Sequence, residues 1–294
     1  MSEHRILLIE NPARLSVDLG RIRIERDEHK DLFVLPSDVA ALVLHHHTIE
    51  MTSQVLRVLA DSRSVLIVTD DKHHPSGYLT PMYGLPQASM RLQQQLALPP
   101  EVQARLWQNI VRARIRTEAL NLRHFQLKGA LRLERLEKEV EPGDKAHAEG
   151  QAAKHYWIHF FGADFRRDKR GADDTLNIAL NYGYAALRAL VAREVAVASL
   201  VPMLGVGHAN RDNPFNLVDD LMEPYRFVVE RHIRRHESRL DEFTTETRML
   251  ILGFIKATVK LGDMNFRLPA AVRETVSSYC RILDSCRGSL AAPG

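Results

Sequence analysis

Three residues that lie far apart in the chain, Glu149, His208 and Glu223, could meet as a ligand set of two carboxylates and one imidazole. Oxygen ligands with a single imidazole suit Mg²⁺ or Mn²⁺ better than zinc, because hard cations prefer carboxylate and water oxygens. Such ions also keep coordination positions open for the phosphates of a substrate. The residue types therefore point to phosphodiester chemistry.

Two of these residues lie in the segment 205–226, which reads GVGHANRDNPFNLVDDLMEPYR. The glycines around His208 predict that it lies on a tight turn rather than within a regular helix. Asn213 and Pro214 have the types expected of an N-cap and a first helical residue, so they predict where the next helix begins. Pro224 lacks a backbone donor, so the helix should kink or restart there and aim the preceding glutamate inward.

Three acidic residues of this segment are close enough in sequence to compete for the ligand role. Asp220 precedes Glu223 by three positions and Asp219 precedes it by four, so either aspartate can share a helix face with Glu223. The spacing alone does not choose between the two aspartates. Arg226 follows Glu223 by three positions and can pair either with that carboxylate or with a scissile phosphate.

Glu149 lies in an alanine-containing stretch, AHAEGQAAKHYWIHFFG at 146–162, that favours a helix. Gly150 is out of place in a helix, and a small residue beside an acid often marks the close approach of a backbone or a ligand. Taken alone, Glu149 is most simply a solvated charge and His208 a turn or core histidine. Only their combination favours a functional interpretation.

Four motifs resemble, in their order along the chain, the family of CRISPR-associated adaptation integrases, whose members insert new spacers. They are DDKHHPSGYLTP at 70–81, AHAEGQAAKHYWIHFFG, DDTLNIALNYGYAALRALV from residue 173, and HANRDNPFNLVDDLMEPYR from residue 208. The resemblance covers nearly the whole chain and is closest to the variants associated with type II systems. It implies that Glu149, His208 and Glu223 bind Mg²⁺ or Mn²⁺, with Asp220 as a supporting acid and Tyr184 beside the active site.

The same resemblance implies a metal-dependent DNA endonuclease and integrase, in which a protospacer 3′-hydroxyl attacks a phosphodiester of the CRISPR repeat. It also implies a homodimer formed through the N-terminal domain, with two dimers bridged by a small CRISPR-associated protein of ferredoxin-like fold. Two other function classes stay open at this point. One is a non-catalytic DNA-binding scaffold of the same complex, and the other is a metal-dependent phosphohydrolase that acts on a small substrate.

The chain is predicted to have an α+β fold, with a β-rich domain at residues 1–82, a linker at 83–98 and a larger all-α domain at 99–294 that carries the metal site. Alternating apolar residues around Gly20 predict a β-hairpin. The apolar runs at 39–44 and 64–70 predict strands on either side of a helix near 53–60. The resemblance specifies the β-rich domain as a β-sandwich or β-roll.

Two basic clusters are candidates for binding DNA. Along a helix predicted from Glu101 to about Leu122, the spacing aligns one row of arginines, which consists of Arg105, Arg112, Arg116 and Arg123. The second cluster, in the loop-like sequence FRRDKRG, consists of Arg166, Arg167, Lys169 and Arg170. Each cluster can bind successive phosphates or can be a solvated face with local ion pairs, and the sequence leaves both interpretations open.

The composition of the 294 residues, 45% apolar and 26% charged, is that of a globular protein. No apolar run is as long as a membrane span, and the N-terminus lacks the pattern of a signal peptide. Two cysteines, Cys280 and Cys286, have no partners at zinc spacing, so we expect a reduced, cytoplasmic protein. Residues 1–90 hold 9 Lys and Arg against 12 Asp and Glu, whereas the rest hold 31 against 25, so a polyanion would be drawn to the later part.

Overall fold

The computed structural model of the chain describes residues 5–62, 64–69, 75–79, 87–169, 173–240 and 242–294. The chain forms two compact units, one of Met1–Ala88 with Ala192–Leu200 and one of Ser89–Val191 with Val201–Gly294. Strands dominate the first unit and helices the second, which confirms the predicted α+β class. Arg170, one of the predicted DNA-binding residues, lies outside the described residues.

The first unit is built on two sheets and one helix. Its described elements are β1 (Arg5–Ile9), β2 (Arg14–Asp18), β3 (Arg21–Glu25), β4 (Leu32–Val34), β5 (Val39–Leu44), β6 (Glu50–Met51), α1 (Ser53–Asp61), β7 (Val65–Thr69) and β8 (Pro75–Leu79). One sheet has the strand order β1-β5-β7-β8 and the other has the order β4-β3-β2-β6. The strands predicted near 39–44 and 64–70 and the helix predicted near 53–60 are thereby confirmed as β5, β7 and α1.

The predicted hairpin is formed by β2 and β3, which pair antiparallel with Leu15 opposite Ile24. Leu19 and Gly20 form the turn with φ angles of 46° and 76°, a left-handed region that suits glycine far better than leucine. Leu15 and Ile22 are fully buried in a core shared with β5 and α1. Alternation of apolar and polar residues therefore placed one face of this hairpin in the core.

The second unit is mainly helical. Its elements are α2 (Ala88–Leu96), α3 (Pro100–His124), α4 (Ala130–Glu139), α5 (Ala148–Phe160), α6 (Thr175–Val197, of which the last turns belong to the first unit), α7 (Asn216–Met222), α8 (Arg226–Arg235), α9 (Thr245–Leu252), β9 (Thr258–Leu261), β10 (Met264–Arg267) and α10 (Leu268–Ser285). The strands β9 and β10 form an antiparallel hairpin that the prediction of an all-α domain did not include. Its turn is made by Gly262, whose φ of 57° matches a glycine between two short runs of alternating residues.

The range 83–98, predicted as a linker, is helical over Ala88–Leu96. The buried side-chain amide of Gln95 attaches this helix to the rest of the second unit. Its Nε2 donates to the Val201 carbonyl at 3.2 Å, and its Oε1 accepts from the Val201 amide at 2.8 Å. Arg91 forms an ion pair with Asp284 at 2.6 Å. The stretch Ala88–Leu96 contains neither proline nor glycine, so nothing in it interrupts a helix. Its polar sequence forms an amphipathic helix instead of the predicted linker.

The helix α3 organises the second unit. It spans 25 residues, in agreement with the helix predicted from Glu101, and packs against α4 and α5 through an apolar core. Ile115, Leu122, Leu133 and Phe160 are fully buried in that core. Among the described residues, none of the helices combines the length and the apolar character needed to cross a membrane.

Candidate metal centre

The turn that carries His208 is wrapped around the carboxylate of Asp220, which is completely buried. Backbone amides of Gly207 and His208 donate to this carboxylate at 3.0 and 3.2 Å, and the amide of Val206 donates to it as well. The ring Nδ1 of His208 donates to Oδ1 of Asp220 at 2.6 Å. This hydrogen bond raises the pKa of His208 and fixes the ring so that Nε2 is the nitrogen left for a ligand.

Helix α3 holds the same turn from its other side. The side-chain amide of Gln103 donates to the carbonyl of Val206 at 2.8 Å. The ring of Trp107 meets the ring of His208 edge-on, with centroids 5.4 Å apart. A Cβ atom added to Gly207 would lie 2.2 Å from two ring atoms of Trp107, so only glycine fits there. The predicted tight turn is therefore a turn clamped by an indole ring, which the sequence did not reveal.

Glu149 lies in a helix, as predicted, and the structure places it in the first turn of α5. The carboxylate of Asp144 accepts hydrogen bonds from the amides of Ala148 at 2.8 Å and of Glu149 at 3.2 Å, so Asp144 caps the helix and fixes the position of Glu149. Burial and, next, the negative charge of Glu223 raise the pKa of Glu149. Nothing lies within 4 Å of a Cβ added to Gly150, so the protein contact expected at this glycine is absent among the described residues.

Pro224 ends one helix and permits the next, as predicted. The helix α7 stops at Met222, a short 3-10 turn follows over Glu223–Tyr225, and α8 begins at Arg226. The side chain of Glu223 is only 5% exposed. Its Oε1 accepts from Nη2 of Arg226 at 2.7 Å, and its Oε2 lies 3.8 Å from Nε of Arg114.

The two competing aspartates have different surroundings. The carboxylate of Asp220 accepts hydrogen bonds from the His208 turn, as described above. Both oxygens of Asp219 are occupied, Oδ1 by Nε of Arg188 at 2.7 Å and Oδ2 by Nδ2 of Asn213 at 2.8 Å. Asp219 is therefore held by two side chains, whereas the charge of Glu223 acts on Glu149.

The predicted start of α7 at Asn213 and Pro214 is wrong, because the helix begins at Asn216. The side-chain oxygen of Asn213 accepts from the amide of Phe215 at 3.1 Å, which closes a local turn instead of capping a helix. An Asn-Pro pair fits both arrangements, so the sequence could not distinguish them.

Folding thus places the three predicted ligands in one region of the second unit, where the charges of Glu223 and His208 both act on Glu149. Over the described part of the chain, no three His, Cys, Asp or Glu side chains are arranged as a ready metal-binding group, and Glu223 is paired with Arg226. The donor set nevertheless suits Mg²⁺ or Mn²⁺: an imidazole is oriented by a buried carboxylate, and two further carboxylates repel each other, which a divalent cation would relieve. The ligand set stays a prediction.

Tyr184 lies close to these residues, but its hydroxyl is already used. It donates to Oε1 of Glu230 at 2.7 Å, and only 7% of Tyr184 is exposed. The guanidinium groups of Arg226 and Arg167 lie over its ring, 4.9 and 5.3 Å from the centroid. Tyr184, predicted to act beside the active site, is in this structure a buried residue that packs two arginines.

In the second basic cluster, some residues lie near the candidate metal centre and others lie away from it. The guanidinium of Arg167 donates to the side-chain oxygens of Asn177 at 2.9 Å and Asn181 at 2.6 Å, both on α6. Lys169 is exposed, but partial desolvation and, next, the positive charge of Arg226 lower its pKa, while the charges of Glu223 and Glu149 raise it. Arg166 is exposed and donates to carbonyls of its own loop.

Two of the four arginines in the row on α3 form ion pairs with α4. Nη2 of Arg116 lies 2.7 Å from Glu137, and Nε of Arg123 lies 2.5 Å from Glu134. Arg105 is exposed, and Arg112 is half-buried. Of the two interpretations of this row, ion pairing rather than phosphate binding therefore describes two of the four positions. The spacing of the arginines could not show this, because the acids that pair with them lie on another helix.

The sequence interpretation also missed three buried charged residues beside Glu223. Arg114, Glu118 and Glu230 are 5%, 1% and 0% exposed. A signal for two of them exists, since Arg114 and Glu118 continue the spacing of four residues from Ile110 along the apolar face of α3. A charged pair in line with an apolar stripe must be buried with partners.

Comparison with known proteins identifies the fold and the motifs. The family model described as CRISPR associated protein Cas1 matches residues 6–253. A CRISPR-associated endonuclease Cas1 of Neisseria meningitidis is 30% identical over 279 residues, which cover 94% of this chain and 90% of that relative. The fold is similar to a casposase bound to integration product (TM-score 0.82, 18% identity, 97% of this chain and 92% of that one). It is also similar to a Cas6-RT-Cas1–Cas2 complex (TM-score 0.76, 17% identity, 98% of this chain and 36% of that one).

Proposed function

The chain belongs to the family of CRISPR-associated Cas1 proteins, and on this premise we propose that it is a metal-dependent DNA endonuclease and integrase that inserts spacer DNA into a CRISPR array. The observation that carries the proposal is the hydrogen bond by which the buried Asp220 orients the imidazole of His208, in the region where the charges of His208 and Glu223 act on Glu149. The endonuclease name of the Neisseria relative and the fold shared with a casposase support it. The proposed role is adaptive antiviral defence.

The proposed reaction is strand transfer, in which a protospacer 3′-hydroxyl attacks a phosphodiester of the repeat. Glu149, Glu223 and Nε2 of His208 would bind Mg²⁺ or Mn²⁺, and the ion would polarise the phosphate and stabilise the leaving oxygen. Asp220 keeps the proton on Nδ1 of His208, so that Nε2 stays a ligand. Arg226, packed on Tyr184 beside Glu223, is placed to balance the charge of the phosphate. No covalent enzyme nucleophile is needed.

The proposed DNA path begins at the proposed metal centre. It continues over basic residues that have no carboxylate partner in the described part of the chain. Lys169 is exposed near the two ligand glutamates, and Arg105 and Arg166 are exposed further away. Arg116 and Arg123 are the weakest members of the predicted set, because Glu137 and Glu134 already neutralise them. Binding along this path should depend on salt, since phosphate contacts release counterions.

The proposed assembly is a homodimer, with two dimers bridged by a small protein of ferredoxin-like fold. The support is the family membership and the solved complex of similar fold that contains Cas1 and Cas2. The proposed partners are the protospacer and repeat DNA as substrates and a Cas2-like protein as the bridge. The association with a type II system stays a prediction.

The proposal is tested by assaying strand transfer on a branched DNA substrate with and without Mn²⁺. We expect product only with the metal, and we expect Glu149→Ala to abolish it while DNA binding is retained. A protein that acts only as a scaffold would tolerate Glu149→Ala. A phosphohydrolase of small substrates would show little affinity for DNA and little dependence of that affinity on salt.

A further inference from the structure

A group of five buried polar side chains lies next to Glu223, and we call it the Glu230 cluster. Its members come from four helices of the second unit: Arg114 and Glu118 from α3, Tyr156 from α5, Tyr184 from α6 and Glu230 from α8. All five are buried. No predicted role of this chain accounts for two carboxylates, two phenols and a guanidinium in the interior.

Glu230 is the centre of the cluster. Its Oε2 accepts from the hydroxyl of Tyr156 at 2.8 Å, and its Oε1 accepts from the hydroxyl of Tyr184 at 2.7 Å. The same Oε1 lies 2.8 Å from Nη2 of Arg114, and this nitrogen lies 2.9 Å from Oε1 of Glu118. One guanidinium nitrogen thereby lies between the carboxyl groups of Glu230 and Glu118.

Stability alone does not explain the cluster. Burying ion pairs costs desolvation that their attraction often fails to recover, so apolar residues of the same volume are commonly as stable or more stable. The buried Nη1 of Arg114 also lacks a hydrogen-bond partner among the described residues. Burial raises the pKa of Glu118 to about 8, which reflects the unfavourable ionisation of this carboxyl.

Glu223 is the candidate ligand next to the cluster. Nε of Arg114 lies 3.8 Å from Oε2 of Glu223, which is beyond hydrogen-bonding distance but close enough for charge to matter. Oε1 of Glu223 is already held by Arg226 at 2.7 Å, so Oε2 is the oxygen that Arg226 leaves for a further ligand. The position of Arg114 therefore decides how available Oε2 is.

We propose that the Glu230 cluster is a positioning device for Glu223, in which Glu230 and Glu118 hold the guanidinium of Arg114 back from Oε2. Arg114 stays 3.8 Å from Oε2, so it does not take the oxygen that a metal ion needs. Arg114, Glu118 and Glu230 are thus positioning residues, and Tyr156 and Tyr184 fix the orientation of Glu230. The inference rests on the proposed metal-dependent function of Glu223.

The test replaces the central charge with a group of the same shape. In Glu230→Gln, the attraction that holds Arg114 decreases, so Arg114 should move toward Glu223 and compete with the metal. We expect Mn²⁺ affinity, measured by calorimetry on the full chain, to fall about 10- to 100-fold, the range typical for the loss of a residue that supports a metal ligand. High Mn²⁺ should restore the strand-transfer rate, and DNA affinity without metal should not change.

A second variant and a control separate positioning from folding. Tyr156→Phe removes one hydrogen bond to Glu230 and should weaken Mn²⁺ binding in the same direction but less. Tyr225→Phe is the matched control, because this buried tyrosine bonds to Thr275 at 2.5 Å, outside the cluster. It should lose stability while keeping the Mn²⁺ affinity of the parent protein. Unfolding of all variants is followed by circular dichroism.

Two results would overturn the inference in distinguishable ways. If the parent protein binds Mn²⁺ and Glu149→Ala does not, but Glu230→Gln and Tyr156→Phe bind as the parent does, only the positioning role of the cluster is wrong. If the parent binds no Mn²⁺, or if Glu149→Ala binds it equally well, the proposed metal centre is wrong and the role of the cluster is wrong with it.

Discussion

The turn that carries His208 can be displaced without changing any predicted ligand, by the single substitution Gly207→Ala. The new Cβ would lie 2.2 Å from Cδ2 and Cε3 of Trp107. Carbon atoms in contact are usually about 3.5–4.0 Å apart, so the turn or the indole must move by about 1.3 Å or more. Such overpacking costs about 1–3 kcal/mol of unfolding free energy.

The effect on activity should be much larger than the effect on stability. Since His208 follows directly and contacts the same indole, its imidazole moves with the turn. A misplacement of about 1 Å can reduce a rate about 100-fold. We therefore expect the rate of strand transfer in Mn²⁺ to fall by about two orders of magnitude, while urea unfolding shows a folded protein with a modestly lower midpoint.

Gly150→Ala is the matched control, because Gly150 follows the predicted ligand Glu149 but has nothing within 4 Å of an added Cβ. It should keep the rate and stabilise α5 by about 0.5–1 kcal/mol, since alanine is the better helix former. A Gly207→Ala protein with the parent rate would refute the idea that Trp107 fixes the position of His208. Equal losses in both variants would refute it too.

Three further predictions follow from the contacts of single residues. Asp220→Ala should strongly reduce strand transfer because it releases the His208 turn, whereas Asp219→Ala should stay near normal; the reverse order in the same assay would contradict the assignment. Folded Glu118 has a pKa of about 8, so between about pH 4.5 and pH 8 the folded state keeps a proton that the unfolded chain releases. The unfolding free energy of the parent should therefore fall relative to that of Glu118→Gln as pH rises through this window, and parallel pH profiles in urea titrations would contradict it. Arg105→Ala should lower the slope of log affinity for duplex DNA against log salt by about 0.9, whereas Arg116→Ala, whose charge Glu137 neutralises, should not; equal slopes for the two variants would count against the proposed DNA path.

Local patterns of the sequence were enough for much of the fold. Alternation around Gly20 predicted the β2–β3 hairpin, and a helix was predicted from Glu101 to about Leu122, where α3 lies, because each pattern is settled by residues close in sequence. Pro224 predicted the break between α7 and α8 for the same reason. The linker prediction differed from the structure at α2, where contacts of Gln95 with the distant Val201 decide the outcome.

In the candidate site too, contacts within one segment could be predicted from the sequence, whereas contacts between distant segments could not. Residue types and spacing singled out His208, and the family resemblance singled out Asp220 as a supporting acid; the two residues lie in one segment and do contact each other. They could not show that Trp107 packs on Gly207, that Glu230 takes the hydroxyl of Tyr184, or that acids of α4 pair with the arginine row. Each of these contacts joins segments that are remote in sequence, so tertiary packing alone determines it.

The central claim is that Glu149, His208 and Glu223 bind one catalytic metal ion. The most direct measurement is anomalous diffraction at the manganese edge from crystals of the protein grown with Mn²⁺. The account predicts one anomalous peak within bonding distance of Nε2 of His208 and of both glutamate carboxylates, and no peak at the same place in His208→Ala crystals. A manganese ion bound through Asp219 instead of Glu223, or a peak that persists in His208→Ala, would contradict it.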